Sequence, residues 1–359
     1  MSRFDVTVLH SVAQLESLAS EWVLLSEPFA TPLLDHDWFA CAGAALHSER
    51  DLRVVTVREH GRLVAVAPMA MDGARHLVLL GSSVLHEPSA CLFASEDALR
   101  HLIRTLVEVG HVIVLDRTPA GLMSPAVLPT RMQSLTVRKQ TAESLVVAKT
   151  LPWEQYCASL STRMKKKLAE AHAKSERDYG SVQFTRTAPT PDQTDKALSL
   201  LVEVEAGGWK ARQGSALSTR PELLGFFRLY ARRAAASGRL RLCVLRIGEV
   251  TAAVELGVEA YGRMWSLKVA YDERLAAVVP GVQMTHASIG AAFAAGLNAY
   301  EFLGSAEPWQ ERWHPQRRGY QLTAIYPLRP GAMITALHDV TTHFSRRFQR
   351  TVQDQEVEA

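Results

Sequence analysis

The stretch MWSLKVAYDERLAAVVPGVQM, residues 264–284, decides the fold. Its first eight residues, Met264 to Tyr271, read as a strand, and Asp272, Glu273 and Arg274 lead the chain away from it. Val279-Pro280-Gly281 then opens an apolar helix that runs from Gly281 to Ala295 and is closed by Gly296. A glycine at a helix start lets an anion approach the free amides of the first turn, where the helix dipole also favours negative charge. The face that follows carries Ala287, Ala291, Ala292 and Ala295, small enough to pack closely under a ligand. A helix that merely begins with Pro-Gly is the plain alternative.

Working outward, Thr190, Pro191 and Asp192 look like a helix cap with proline at the first helical position. That helix stops at Gly207-Gly208, and a second, 221–236, ends at Gly238. Leu240 to Ile247 alternates as a strand, Gly248-Glu249 turns the chain, and Ala252 to Val258 returns as its hairpin partner. A short strand follows at 300–303 and another at 320–328. The order is α-α-β-β-β-α-β-β, an α+β layout with a mixed sheet.

The first half repeats that order. Strands at 52–58, 63–69 and 77–80 precede a helix over 96–109, ended by Gly110, and a strand over 112–116. Sliding it by 187–188 residues places Gly61 on Gly248, Ala65 on Ala252 and Val112 to Leu115 on Tyr300 to Leu303. This predicts a duplicated unit of ~150 residues, the alternative being two unrelated domains that share an element order. The expected divisions are 1–150, 151–330 and a C-terminal helix with an acidic tail, 331–359.

The chain has 359 residues, 47% of them hydrophobic and 21% charged, with a net charge of +3. That suits two ordinary globular domains and argues against a general polyanion binder. Residues 1–150 carry 13 Lys/Arg against 16 Asp/Glu, and residues 151–359 carry 27 against 21, so the +3 is the sum of −3 and +6. An anion is therefore expected in the second half. The four cysteines form no CxxC pair, and the thirteen histidines show no metal-ligand spacing, so no disulfide or metal is expected. Asp5, His10 and Glu16 interrupt any signal-like core, and no apolar run is long enough to span a membrane, which predicts a cytoplasmic protein.

Four short motifs in order carry a resemblance: Glu205 with Trp209, Lys210 and Gly214; Tyr271-Asp272 followed by Pro280-Gly281; YEFLG at 300–304; and Trp309 with Trp313. Together they resemble the CelD/BcsL-type acetyltransferases, tandem relatives of the GCN5-related N-acetyltransferase (GNAT) superfamily that are also similar to Fem-type peptidyltransferases. The resemblance covers roughly residues 150–325, and the first half by element order alone. It implies two GNAT-like domains side by side, with acetyl-CoA or another acyl-CoA as co-substrate of the second. The amine of a small molecule, sugar or peptide would attack it directly from the groove between them. Amides near Leu267 and Val269 would polarise the thioester, and the pyrophosphate would sit along Pro280, Gly281, Val282, Gln283 and Met284. Trp309 is followed by Gln310 where the family commonly has a lysine, and the Pro-Gly turn is shorter than the usual pyrophosphate loop. A Fem-type transferase using aminoacyl-tRNA therefore stays open, with the basic run from Arg163 to Lys167 as its tRNA contact. A non-catalytic binding protein with a decayed CoA site stays open too.

Acyl transfer to an amine needs a base and oxyanion donors. Glu205, ending a helix in an apolar setting, is the first candidate base; a surface carboxylate near a helix end is the alternative. Glu307 is either a groove acid holding a cationic amine or a solvated loop residue. His86, in His86-Glu87-Pro88, is either a base facing the groove or a packed loop residue. Trp209, Lys210, Tyr271, Trp309 and Trp313 are the candidate substrate contacts. His286, early on the Gly281 helix, is either a phosphate contact or a surface residue.

Overall fold

The structure is a computed structural model that describes residues 3–73, 75–206 and 217–339. The strands are β1 (Phe4–Leu9), β2 (Leu52–Glu59), β3 (Arg62–Asp72), β4 (His76–Leu79), β5 (Leu92–Phe93), β6 (Val112–Pro119) and β7 (Ser134–Ala148). Then come β8 (Val182–Thr187), β9 (Leu240–Ile247), β10 (Val250–Ala260), β11 (Arg263–Tyr271), β12 (Ala299–Glu301) and β13 (Gln316–Pro327). Among the described residues they build one 13-stranded mixed sheet, ordered β1-β2-β3-β4-β6-β13-β7-β12-β11-β10-β9-β8, with β5 on β3.

Read from its middle, this order is the same in both directions. Each half has an antiparallel run that ends in a parallel pair: β4 with β6, and β11 with β12. The central strands are exchanged. β7, from the first half of the chain, pairs with β12, and β13, from the second half, pairs with β6. β7 and β13 also pair with each other from Ser134–Pro327 to Val146–Gln316. Neither half completes its own sheet, so the two share one hydrogen-bonded layer.

Local chemistry sets the joints. His60 and Gly61 both take positive φ (49° and 79°), the pattern of a tight hairpin turn matched to strand twist. Between β10 and β11 the register passes from Leu256–Lys268 to Gly257–Ser266, which leaves Leu267 as an extra, bulged residue. Gly257 is required there: a Cβ would lie 2.6 Å from the Trp265 carbonyl oxygen.

A core shared by the two halves lies on one face of the sheet. Trp38, on the helix His36–Leu46, meets Phe226 and Tyr230 of the helix Pro221–Ala236 edge-on, each at 4.9 Å between ring centres. Around this contact Arg233 pairs with Glu16 and Asp37, and Arg239 with Asp35 and Asp37. On the other face, the helix Pro280–Ala294 packs on Cys243, Leu245 and Ala253 through Met284.

Two elements differ from their sequence reading. β7 starts ten residues before Ser144 to Ala148, the stretch whose apolar residues read as a strand, because beyond Ser134 its first part is exposed or half-buried and gives no continuous apolar signal. β13 starts at Gln316 rather than Tyr320, since Gln316 to Gly319 find ladder partners on β7 that no local pattern announces. Residues 330–339 are helical; residues 340–359 of the expected tail lie outside the described residues.

Candidate active site

The site begins where two parallel strands part. β11 and β12 pair only over Arg263–Trp265 with Ala299–Glu301. Beyond that, β11 stays with β10 as far as Tyr271, whereas Phe302 leaves to donate its N–H to the Leu145 carbonyl of β7. The gap is a cleft of about 650 Å³, within the usual range for small-molecule sites.

Eight of the expected residues line the cleft. Leu267, Val269 and Tyr271 do so from β11, Pro280, Gly281 and Val282 from the helix start, and Glu307 and Trp309 from the loop after β12. At the helix start, the Val282 and Gln283 amides both donate to the Val279 carbonyl, at 3.0 and 3.3 Å. Val279 itself is left-handed, with φ 42°. Tyr271 lies against this turn, since a Cβ on Gly281 would sit 3.1 Å from its ring. Glu307 is exposed and accepts from Trp309 Nε1 at 2.6 Å.

The other expected residues lie elsewhere. Gln283 is buried behind the turn and donates to Ser175 Oγ and the Val278 carbonyl, while Met284 is fully buried in the core. Trp313 is fully buried beside Tyr156 and His286. His286 meets Trp153 there at a tilt, 5.0 Å between ring centres, and has Cys157 Sγ 3.7 Å away, outside the cleft lining. Glu205 is buried and accepts from the Leu217 amide at 2.7 Å, outside the lining of the cleft. Trp209 and Lys210 lie outside the described residues.

The residue that sequence reasoning passed over is Glu87. It comes from the first half, yet it lines the cleft of the second. Its carboxylate accepts from the Gly304 amide at 2.9 Å. Burial pushes its pKa up to about 7, against the opposing pull of that N–H, of Lys268 and of Arg117. A carboxyl that titrates near neutrality inside a cleft is suited to accept a proton there. Its neighbour His86 is exposed and left-handed, with φ 56°. Desolvation, then the charges of Arg117 and Arg220 and, more weakly, Lys268, hold the His86 pKa below its ordinary value against the opposing pull of Asp116. The signal available in the sequence was the stretch His86-Glu87-Pro88 itself, where proline restricts the preceding carboxylate to extended backbone.

Beneath the cleft, Tyr300 donates to Glu255 Oε1 at 2.6 Å, and Tyr300 and Ser266 reach the lining. Burial raises the pKa of both Glu255 and Tyr300. The Glu255 carboxyl is thus held towards its neutral form. Among the described residues no cluster of metal-ligating groups is found, and no helix is long and apolar enough to cross a membrane.

Comparisons with known proteins agree with this fold. Residues 162–311 match the acetyltransferase (GNAT) domain family. Among solved structures, FemX aligns with a TM-score of 0.57 at 10% identity, over 89% of this chain and 96% of its own. L-PGS from Bacillus licheniformis aligns with a TM-score of 0.55 at 14% identity, over 91% and 96%. Comparison with curated proteins finds no match. The chain has a GNAT-type mixed α+β fold.

Proposed function

We propose that the protein is an acyl-CoA-dependent N-acyltransferase, transferring an acetyl or longer acyl group to the amine of a small molecule, amino sugar or peptide. The observation that supports this is Glu87, a carboxyl with a pKa of about 7, lining the cleft between the splayed strands β11 and β12. The apolar walls at Leu267, Val269, Phe302 and Leu303 and the Pro280–Gly281 turn at one end suit a pantetheine arm and its pyrophosphate.

Acyl-CoA supplies the thioester, whose C–S bond breaks as the amine nitrogen bonds to the acyl carbon and CoA leaves as its thiolate, to be protonated to the thiol once the proton held by the base is released. Glu87 takes the proton that the amine loses. Leu267, bulged out of register with β10, is assigned to present its peptide N–H to the carbonyl oxygen. The Gly281 N–H meets the pyrophosphate at the positive end of the Pro280–Ala294 helix. Glu307 and Trp309 border the acceptor side. Glu205, tied to the Leu217 amide, is read as holding the chain after its helix and not as the base.

The CelD/BcsL-type resemblance and a cytoplasmic setting belong to this same reading. So does a division into a first domain that contributes to the acceptor groove and a second that binds acyl-CoA. Calorimetric titration with acetyl-CoA and with CoA tests it. Saturable binding, with thiol release when amines are added, is expected. Absence of binding by any acyl-CoA overturns it.

A further inference from the structure

Cys157 and His286 form a thiol–imidazole pair away from the cleft. Cys157 sits on the helix Trp153–Ser159 and His286 on the helix Pro280–Ala294, with Sγ 3.7 Å from Nε2. Both line a surface cavity of about 350 Å³, which Leu160, Lys165 and Leu168 help to wall. That cavity and the cleft between β11 and β12 share no lining residue. The other three cysteines, Cys41, Cys91 and Cys243, are buried, so Cys157 is the one thiol of the four that a small molecule can reach.

The imidazole is held in place by rings. Its centre lies 5.0 Å from that of Trp153 and 6.2 Å from that of Trp313, which is fully buried. Desolvation holds the His286 pKa below its ordinary value, so the ring is neutral and keeps a lone pair on one nitrogen. Desolvation, then the charge of Glu154, holds the Cys157 thiol above its ordinary value, so it rests protonated and needs a base in order to react. His286 Nε2 is the base within reach. Lys165 adds a positive charge to the wall. Its ammonium donates one hydrogen bond to the Ala158 carbonyl, at 2.9 Å, and has three hydrogens to give. Among the described residues no carboxylate lines this cavity; Glu154 lines a neighbouring one.

We infer that Cys157 is a modification site, at which the thiol exchanges with a small disulfide that carries carboxylates and His286 acts as the base. The Cys157 proton passes to His286 Nε2, and the thiolate attacks one sulfur of the disulfide. A new S–S bond forms as the old one breaks, and the departing thiolate takes the proton back from the imidazolium. The disulfide is the oxidant: Cys157 ends in a mixed disulfide, and the released half leaves reduced, as a thiol. The inference stands apart from the acyltransfer reading, because no acyl-CoA takes part in it.

Intact-mass spectrometry of the folded protein incubated with glutathione disulfide tests it. One glutathionyl group per chain is expected, removed by dithiothreitol and absent from Cys157→Ser. His286→Gln should slow the exchange by about ten-fold or more. Lys165→Met, a change at an exposed side chain, should slow glutathione disulfide and leave the cationic disulfide cystamine unaffected. Melting curves check that the variants fold. No adduct on the wild-type protein, an equal adduct on Cys157→Ser, or an unchanged rate in a folded His286→Gln overturns the inference. If His286→Gln does not fold, Lys165→Met decides, and an equal effect on the two disulfides overturns it.

Discussion

The Glu87 carboxylate accepts a hydrogen bond from the Gly304 amide at 2.9 Å, across 217 residues of sequence. That bond ties a loop of the first half to the segment leaving β12, and it holds the proposed base on the lining of the cleft. Because Gly304 also receives Arg117 at its carbonyl, the peptide is fixed from both sides.

Glu87→Gln retains an oxygen acceptor for the Gly304 N–H while removing the base. We expect kcat to fall by about 10²–10⁴-fold, with acyl-CoA affinity unchanged. The wild-type kcat/KM should rise with pH through a limb near 7, since only the ionised carboxylate takes the proton, and then level off. A variant with wild-type turnover would remove Glu87 from the chemistry.

Stability carries a second signature of the same group. The folded protein holds the Glu87 proton up to about pH 7, against an ordinary 4.5. Its contribution to stability is therefore fully present below pH 4.5 and is lost as pH rises through 7. Glu87→Gln, which has no proton to lose, should gain melting temperature relative to wild type above pH 7 and lose that advantage towards pH 4.5. Thermal melts across this range measure it.

Gly281 tests the helix start. A Cβ would meet the Tyr271 ring at 3.1 Å, so alanine must push that ring by a few tenths of an ångström, and glutamate adds a charge as well. Gly281→Glu should weaken acetyl-CoA binding by about ten-fold or more, the like-charge penalty exceeding the steric one seen in Gly281→Ala. Calorimetry on the two variants compares them directly.

Gly257 tests the bulge. A methyl group there would lie 2.6 Å from the Trp265 carbonyl, which is backbone and cannot swing aside. Gly257→Ala should cost about 1–3 kcal/mol by overpacking and should reduce turnover by disturbing Leu267. A denaturant melt reads the first effect, and a thiol-release assay reads the second.

Tyr300→Phe removes the hydroxyl that serves Glu255, whose side chain is fully buried. The loss should be about 1–3 kcal/mol, since a buried acceptor is deprived of a donor. An unaltered melting point would mean that the carboxyl has turned to another partner.

Much of this was legible in the chain. The hairpin before Gly61, the helix stop at Gly110 and the Pro280–Gly281 start are local events, set by which residues tolerate positive φ or a helix N-terminus. Gly281 was readable from its place at a helix start, whereas Leu267, Val269 and Tyr271 were named through the family resemblance. Glu87 and Arg117 were not readable, because their meaning depends on Gly304, and no periodicity links residues about two hundred positions apart.

By itself, then, the sequence from Met264 to Met284 determined a strand, a turn and a helix start, because those rest on short-range sterics and hydrogen bonding. The exchange of β7 and β13 between the halves was decided only by the tertiary structure. Either strand could satisfy its backbone groups beside several neighbours, and only the assembled sheet selects which. That choice brings the Gly304 peptide between Glu87 and Arg117, and with it the proposed base to the cleft.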